Sequence, residues 1–238
     1  MKPYMEKQLG IAFAGGEGPG PEALRRFFAG RLRGGSVAGV LTVAADSGLL
    51  VAEAAGVRPD WVVGDMDSVG DMDSVGDEGR LLAYPKERVV RHPADKDHTD
   101  TELALELLWG KGCERVWIVG GGGGRIAHVF AIRDLFERER FPCRWITSGG
   151  DVHCVDREGV HAPSGLTAAS EAGDTVSVFP LGGGPWKAES LGLKWPLDKV
   201  RWERGLYGLS NIATGNETGI QAIQGRFMIV SEKICQQL

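Results

Sequence analysis

Between Val62 and Asp100 the chain concentrates carboxylates at Asp65, Asp67, Asp71, Asp73, Asp97 and Asp100. The pair Asp65-Met66-Asp67 follows directly on the apolar run Trp61-Val62-Val63, so it stands where a strand empties into a loop. Carboxylates this close repel one another, and a divalent metal is the usual compensation. Hard oxygen ligands suit Mg²⁺, which commonly arrives with a nucleotide phosphate. The competing reading of a single Asp-x-Asp is a solvated acidic loop, and the placement of the other candidate residues weighs against it. The unit Gly-Asp-Met-Asp-Ser-Val occurs twice, at Gly64–Val69 and Gly70–Val75. The first copy is assigned to the strand end because it directly follows Trp61-Val62-Val63, and the second lengthens the loop.

A second phosphate-directed feature is the run Gly120–Gly124 followed by Arg125. Backbone N–H groups of such a run can close on phosphate, and a following helix N-terminus adds positive potential. It carries no Gly-Lys-Ser/Thr and lacks the third glycine of a dinucleotide fingerprint, so neither of those motifs is present. The histidines His92, His98, His128, His153 and His161 show no close pairing, and no Gly-x-Ser-x-Gly elbow supports a serine hydrolase. Trp195, Trp202 and Tyr207 offer flat faces to a heterocycle, with ordinary sheet packing as the alternative.

The elements that must position these groups alternate. Leu9–Ala14 reads as a strand, and Pro21 opens a helix with Leu24, Phe27, Phe28 and Leu32 on its apolar face. Val37–Ala45 reads as one continuous strand ending at Asp46, Leu49–Ala55 as a short helix, and Trp61–Val63 as a third strand. A fourth strand is expected near Val89-Val90. Thr99-x-x-Glu102 is a capping box that starts a helix. Val116–Val119 is a strand, Ile126–Arg140 a helix with Val129, Phe130, Ile132, Leu135 and Phe136 toward the core, and Cys143–Thr147 a last short strand. This order predicts a parallel α/β sheet, in which ligands bind at the carboxyl ends of strands. Asp46, the Asp65/Asp67 pair and the Gly120 loop all fall at such ends. After Gly150 the runs shorten and turns multiply, with strands expected at Asp174–Phe179, Glu189–Leu193 and Arg226–Ser231. The expected organisation is an α/β domain over 1–150 followed by an all-β domain over 151–238, a small sandwich or partial barrel.

Composition narrows the class. The chain has 238 residues, is 42% hydrophobic and 25% charged, and carries a net charge of −5 with no long Lys/Arg run. That is ordinary globular usage and argues against a general nucleic-acid binder. No apolar stretch approaches the roughly 20 residues of a membrane span, and Met1–Gly10 has no signal-like apolar region. The expected compartment is the cytoplasm. Cys113, Cys143, Cys154 and Cys235 are widely spaced and are expected as buried thiols.

The motifs, taken in order, resemble those of the thiamine pyrophosphokinase family. They are Ala45-Asp46-Ser47-Gly48, Pro59-Asp60-x3-Gly64-Asp65-Met66-Asp67-Ser68, Lys96-Asp97-x-Thr99-Asp100-Thr101-Glu102, and Gly123-Gly124-Arg125-x-x-His128. The likeness continues in Gly192-Leu193-Lys194-Trp195-Pro196-Leu197 and Gly208-Leu209-Ser210-Asn211. The resemblance implies a Rossmann-like three-layer α/β domain over 1–150 that binds nucleotide and metal and carries catalysis, a thiamine-binding β-sandwich over 151–238, a homodimer with sites between subunits, and transfer of a pyrophosphoryl group from ATP to the thiamine hydroxyl, giving thiamine diphosphate and AMP. It implies Asp46, Asp65, Asp67 and Asp100 as Mg²⁺ ligands, supported by Lys96, Asp97 and Thr99. It also implies Gly121, Gly122, Gly123, Gly124 and Arg125 near the nucleotide, and Ser210, Asn211, Trp195 and His128 near thiamine. Asp97 or Asp100 is the expected proton acceptor. Three departures stand out: Ala127 where the family usually has Asp, Ser47 where it commonly has Gly, and the doubled Gly-Asp-Met-Asp-Ser-Val unit. They keep two alternatives in view, a pyrophosphokinase for another alcohol such as a pterin, and a nucleotide- or thiamine-binding protein with impaired catalysis.

Overall fold

The computed structural model of the chain describes residues 9–29, 32–65, 77–93, 95 and 97–233. It divides into two compact units, 1–129 and 130–238, in an α/β plus β layout.

In the first unit, β1 (Leu9–Ala14) is followed by α1 (Pro21–Phe28), β2 (Leu32–Arg33), β3 (Ser36–Val37), β4 (Val40–Ala45), α2 (Gly48–Ala54) and β5 (Trp61–Gly64). Then come α3 (Asp77–Leu82), β6 (Val89–Arg91), α4 (Asp100–Gly110) and β7 (Arg115–Gly120). The sheet runs β7-β1-β4-β5-β6, with every one of these pairs parallel. Its central strands are buried almost end to end, as expected when both faces are covered. Leu24, Phe27 and Phe28 of α1 are buried, and Phe28 packs against Phe13 of β1 with ring centres 6.0 Å apart.

Two expectations are corrected here. The run Val37–Ala45 is not one strand: Gly39, at a φ of 72°, turns the chain between β3 and β4, and β3 pairs with β2 instead. The helix expected over Ile126–Arg140 is present as α5 (Ile126–Leu135), but Phe130 is 62% exposed, while Ile132 and Leu135 are buried. A run this rich in apolar residues leaves its buried stripe ambiguous by period alone.

The second unit contains β8 (Arg144–Thr147), β9 (Gly150–Asp156), β10 (Gly165–Ala169), β11 (Thr175–Leu181) and β12 (Lys187–Leu191). β13 (Gly208–Ile212), β14 (Glu217–Gln224) and β15 (Arg226–Ser231) complete it. β8 falls where the last short strand was expected and pairs antiparallel with β9. One antiparallel sheet runs β13-β11-β15-β9-β8 and another β10-β14-β12. A single core cluster draws Val178 and Phe227 from the first and Ile220 and Ala188 from the second.

Inside this unit Arg144 and Asp151 form a buried two-pronged ion pair, Nε–Oδ1 3.0 Å and Nη2–Oδ2 2.6 Å. His153 Nε2 lies 3.1 Å from Asp151 Oδ2. Burial by itself raises the Asp151 carboxyl, but the hydrogen bonds of His153 and Arg144 outweigh it and hold it down to about 2. Cys113, Cys143 and Cys154 are buried free thiols, as expected, and burial pushes Cys113 up to about 11. Cys235 lies outside the described residues. Among the described residues no helix is long and apolar enough to cross a membrane.

Candidate active site

Three aspartates are delivered to one place by three different elements. Thr42 and Asp60 set the register of the first two. Thr42 N–H and Oγ1–H donate to Asp60 Oδ2 at 2.8 and 2.9 Å, and Asp60 N–H donates to Thr42 Oγ1 at 3.0 Å. This clamp ties β4 to the start of β5, so both strands empty at the same level. Asp46 follows β4 directly, with its N–H donating to Val63 C=O at 2.8 Å. It takes a φ of 46°, a left-handed conformation that Asp tolerates better than most residues. Gly48, next but one, brings α2 against β1 so closely that a Cβ there meets Phe13 O at 2.0 Å. The turn is thereby pinned, and the Asp46 side chain is 6% exposed.

Asp65 follows β5 through Gly64. A Cβ on Gly64, whose φ is 151°, meets Asp46 Cβ at 3.1 Å and Asp100 Oδ1 at 3.3 Å. The glycine of Gly-Asp-x-Asp therefore leaves room for the other two carboxylates. Asp100 is the first residue of α4, positioned by the capping box. Thr99 N–H and Oγ1–H donate to Glu102 Oε2 at 2.7 and 2.8 Å, and Glu102 N–H returns to Thr99 Oγ1 at 3.3 Å. A carboxylate at a helix start is favoured by the helix dipole.

Carboxylate oxygens of Asp46, Asp65 and Asp100 all lie within 4.8 Å of one another. At that spacing each like-charged pair repels by about 3.5 kcal/mol at an effective dielectric of 20, and less where water screens it. An all-oxygen anionic donor set that a glycine makes room for fits a hard divalent cation.

The loops beside this cluster interlock. Gly122 N–H donates to Glu17 C=O at 2.8 Å, and a Cβ on Gly123 meets the Glu17 carboxylate at 2.3 Å. A Cβ on Gly15 meets Ser47 Oγ at 2.0 Å, so the hydroxyl of Ser47 occupies the space Gly15 leaves open. The Gly15–Gly20 loop thus packs on both neighbouring loops, and the Gly122 N–H is committed to it.

The remaining expected residues fall as follows. Asp97 is exposed in the turn before Thr99, whose own hydroxyl is engaged in the cap. Gly121, Gly122, Gly123, Gly124 and Arg125 lead from β7 to α5, with Arg125 and His128 exposed. Asp67 and Lys96 lie outside the described residues, as does the whole second copy of the doubled unit. Trp195, Ser210 and Asn211 come together in the second unit. Trp195 is half-exposed, Ser210 sits on β13, and the Asn211 carboxamide bonds the Trp195 backbone. Asp60 and Gly64 were visible in the motif as letters; their roles as register clamp and space-maker depend on which strands pair.

Residues 38–143 match the family model described as thiamin pyrophosphokinase, catalytic domain. The structure is similar to that of thiamine pyrophosphokinase from Bacillus subtilis, with a TM-score of 0.68, 20% identity, and 94% of this chain and 98% of that chain covered. It is similar to a thiamin pyrophosphokinase family protein from Enterococcus faecalis, with a TM-score of 0.65, 20% identity, and coverage of 96% and 99%. The thiamin pyrophosphokinase from Candida albicans gives a TM-score of 0.61 at 14% identity, with coverage of 96% and 90%. A search of the curated proteins returns no match.

Proposed function

The chain carries a catalytic domain of the thiamin pyrophosphokinase family over residues 38–143, and from that premise we propose that it moves the pyrophosphoryl group of ATP onto the hydroxyl of thiamine. The thiamine oxygen bonds to the β-phosphorus, the bridging bond from that phosphorus to the α-phosphate oxygen breaks, and AMP leaves. The hydroxyl proton passes to a carboxylate, Asp97 or Asp100. The observation that carries the reading is the convergence of Asp46, Asp65 and Asp100 from two strand ends and one helix start, inside the matched segment.

Asp46, Asp65 and Asp100, with Asp67, hold Mg²⁺ in this reading. When bound, the ion neutralises phosphate charge and lowers the cost of bringing the triphosphate to an acidic site. The protein's own part is positioning. The Thr42–Asp60 clamp and the Thr99–Glu102 box fix the carboxylates, so the reacting groups meet in a set geometry. Lys96, Thr99, the Gly121–Gly124 loop and Arg125 serve the nucleotide; Trp195, Ser210, Asn211 and His128 serve thiamine. The finer architecture in this reading is a Rossmann-like three-layer domain followed by a β-sandwich. The assembly is a cytoplasmic homodimer with its sites between subunits.

The test is AMP release from ATP and Mg²⁺ with and without thiamine, with the product identified by mass. Thiamine-dependent AMP together with thiamine diphosphate is the expected result. Folded protein that binds ATP and releases no thiamine-dependent AMP overturns it. A pterin alcohol that serves where thiamine does not would assign a different acceptor to the same chemistry.

A further inference from the structure

Asn211 sits beyond a bulge in β13. Val176 of β11 faces Asn211 and Val178 faces Gly208, so Ser177 stands opposite two residues, Leu209 and Ser210. Ser210 absorbs the extra residue at a φ of 52°, and its N–H donates to Ser177 Oγ at 3.0 Å. The bulge leaves Asn211 on the buried side, 3% exposed. There its carboxamide is engaged at both ends. Oδ1 accepts from Trp195 N–H at 3.1 Å and from Ile212 N–H at 2.9 Å, while Nδ2 donates to Trp195 C=O at 2.6 Å. The reverse orientation would set an amide NH₂ against two N–H donors, so the network fixes which end is oxygen.

Neighbouring bonds extend this grip. Lys194 N–H donates to Ile212 C=O at 2.8 Å, and Leu197 N–H donates to Ser190 Oγ at 3.0 Å, with the Leu197 side chain fully buried. Between these anchors the Trp195 ring remains 50% exposed, with Lys194 Nζ 4.6 Å from its centre. A backbone held from both sides narrows the positions open to a flat, half-exposed ring, which spares binding part of that entropy.

We infer that Asn211 is a positioning residue: it acts not by touching the acceptor but by fixing the Trp195 ring on which a flat acceptor stacks. The identity of the acceptor rests on the function proposed above; the grip on Trp195 does not.

Two readouts separate these parts. In protein labelled with 5-fluorotryptophan, the ¹⁹F resonance of Trp195 is assigned by its loss in Trp195→Leu. Asn211→Asp keeps one acceptor oxygen but turns a second toward Trp195 C=O; Asn211→Ala removes all three carboxamide bonds. Each variant is expected to shift and narrow the Trp195 resonance while the resonances of the other tryptophans stay in place, which also reports an intact fold. Asn211→Ala carries the test if Asn211→Asp disturbs them all. In kinetics, each variant is expected to raise the thiamine KM about tenfold with kcat held within about threefold. In the Trp195→Leu background the further rise falls below about twofold, because the two residues act as one unit. An unchanged Trp195 resonance in both variants overturns the inference. So does a KM penalty undiminished in Trp195→Leu, which would place Asn211 on the acceptor itself. Absence of thiamine turnover in the parent protein would sink the proposed function, and the resonance would still decide the role of Asn211.

Discussion

Replacing Asp46 with Asn tests whether the aspartate cluster is built around a cation. Asn occupies left-handed backbone as readily as Asp, so at a φ of 46° the substitution changes charge with little change of conformation. Asp46 repels both Asp65 and Asp100 from within 4.8 Å. Each pair is worth about 3.5 kcal/mol at an effective dielectric of 20 and about 0.9 kcal/mol in bulk water. Asp46 is buried while Asp65 and Asp100 are partly exposed, which puts the net relief nearer the lower bound, about 2 kcal/mol for both pairs together. For a chain of this size that corresponds to a rise in metal-free unfolding temperature of about 4–8 °C. Mg²⁺ should distinguish the two proteins. At a hundredfold excess over its dissociation constant it stabilises the parent by about 2.7 kcal/mol, and it should leave Asp46→Asn almost unmoved. Differential scanning calorimetry in chelator and in Mg²⁺ reads both effects. A variant that melts lower without metal and keeps the full Mg²⁺ shift would refute the reasoning, because neither repulsion nor cation binding would then centre on Asp46.

Three further outcomes are expected. Thr99→Ala removes the capping box and costs about 1 kcal/mol of stability; because the cap also places Asp100, Mg²⁺ affinity measured by calorimetric titration should fall with it. Gly64→Ala puts a methyl 3.1 Å from Asp46 Cβ at a backbone angle that L-residues rarely adopt. It should cost about 1–3 kcal/mol and abolish the Mg²⁺-dependent thermal shift. Asp151, held down to about 2, has a folded value below its unfolded one. Its contribution, about 2 kcal/mol, is therefore complete above pH ~4 and is lost as pH falls toward 2. Urea melts from pH 5 down to pH 2 should show that loss in the parent. Asp151→Asn should lack this acid dependence and be less stable by about 3–5 kcal/mol at neutral pH, because it takes from the buried Arg144 charge its two-pronged carboxylate partner.

What could be read from the sequence was what depends on neighbours along the chain. Thr99 and Glu102 are three apart, so their cap is a local pattern. Asp46 and Asp65 follow apolar runs, so their position at strand ends needs only the run to be recognised. Their convergence also follows from the parallel order, because strands alternating with helices bring carboxyl ends to one edge. The match to the thiamin pyrophosphokinase catalytic domain bears out the resemblance carried by those motifs. The parts that stayed hidden depend on pairing across distance. The clamp between Thr42 and Asp60 requires knowing that β4 lies beside β5. The ion pair of Arg144 with Asp151 requires the β8–β9 hairpin, and the turn of Asn211 toward the core requires a bulge that shifts the alternation of β13. Phe130 misled because a helix as rich in apolar residues as Ile126–Leu135 offers no single stripe that period alone identifies. Asp67, which completes the metal set implied by the resemblance, lies outside the described residues and needs its own experiment.

The most direct measurement is the stoichiometry of products from ATP, thiamine and Mg²⁺, with Asp46→Asn run in parallel. The account predicts equal amounts of AMP and thiamine diphosphate from the parent protein and neither above background from the variant. ADP in place of AMP would contradict transfer at the β-phosphorus, and undiminished product from Asp46→Asn would contradict the aspartate cluster as the seat of the chemistry.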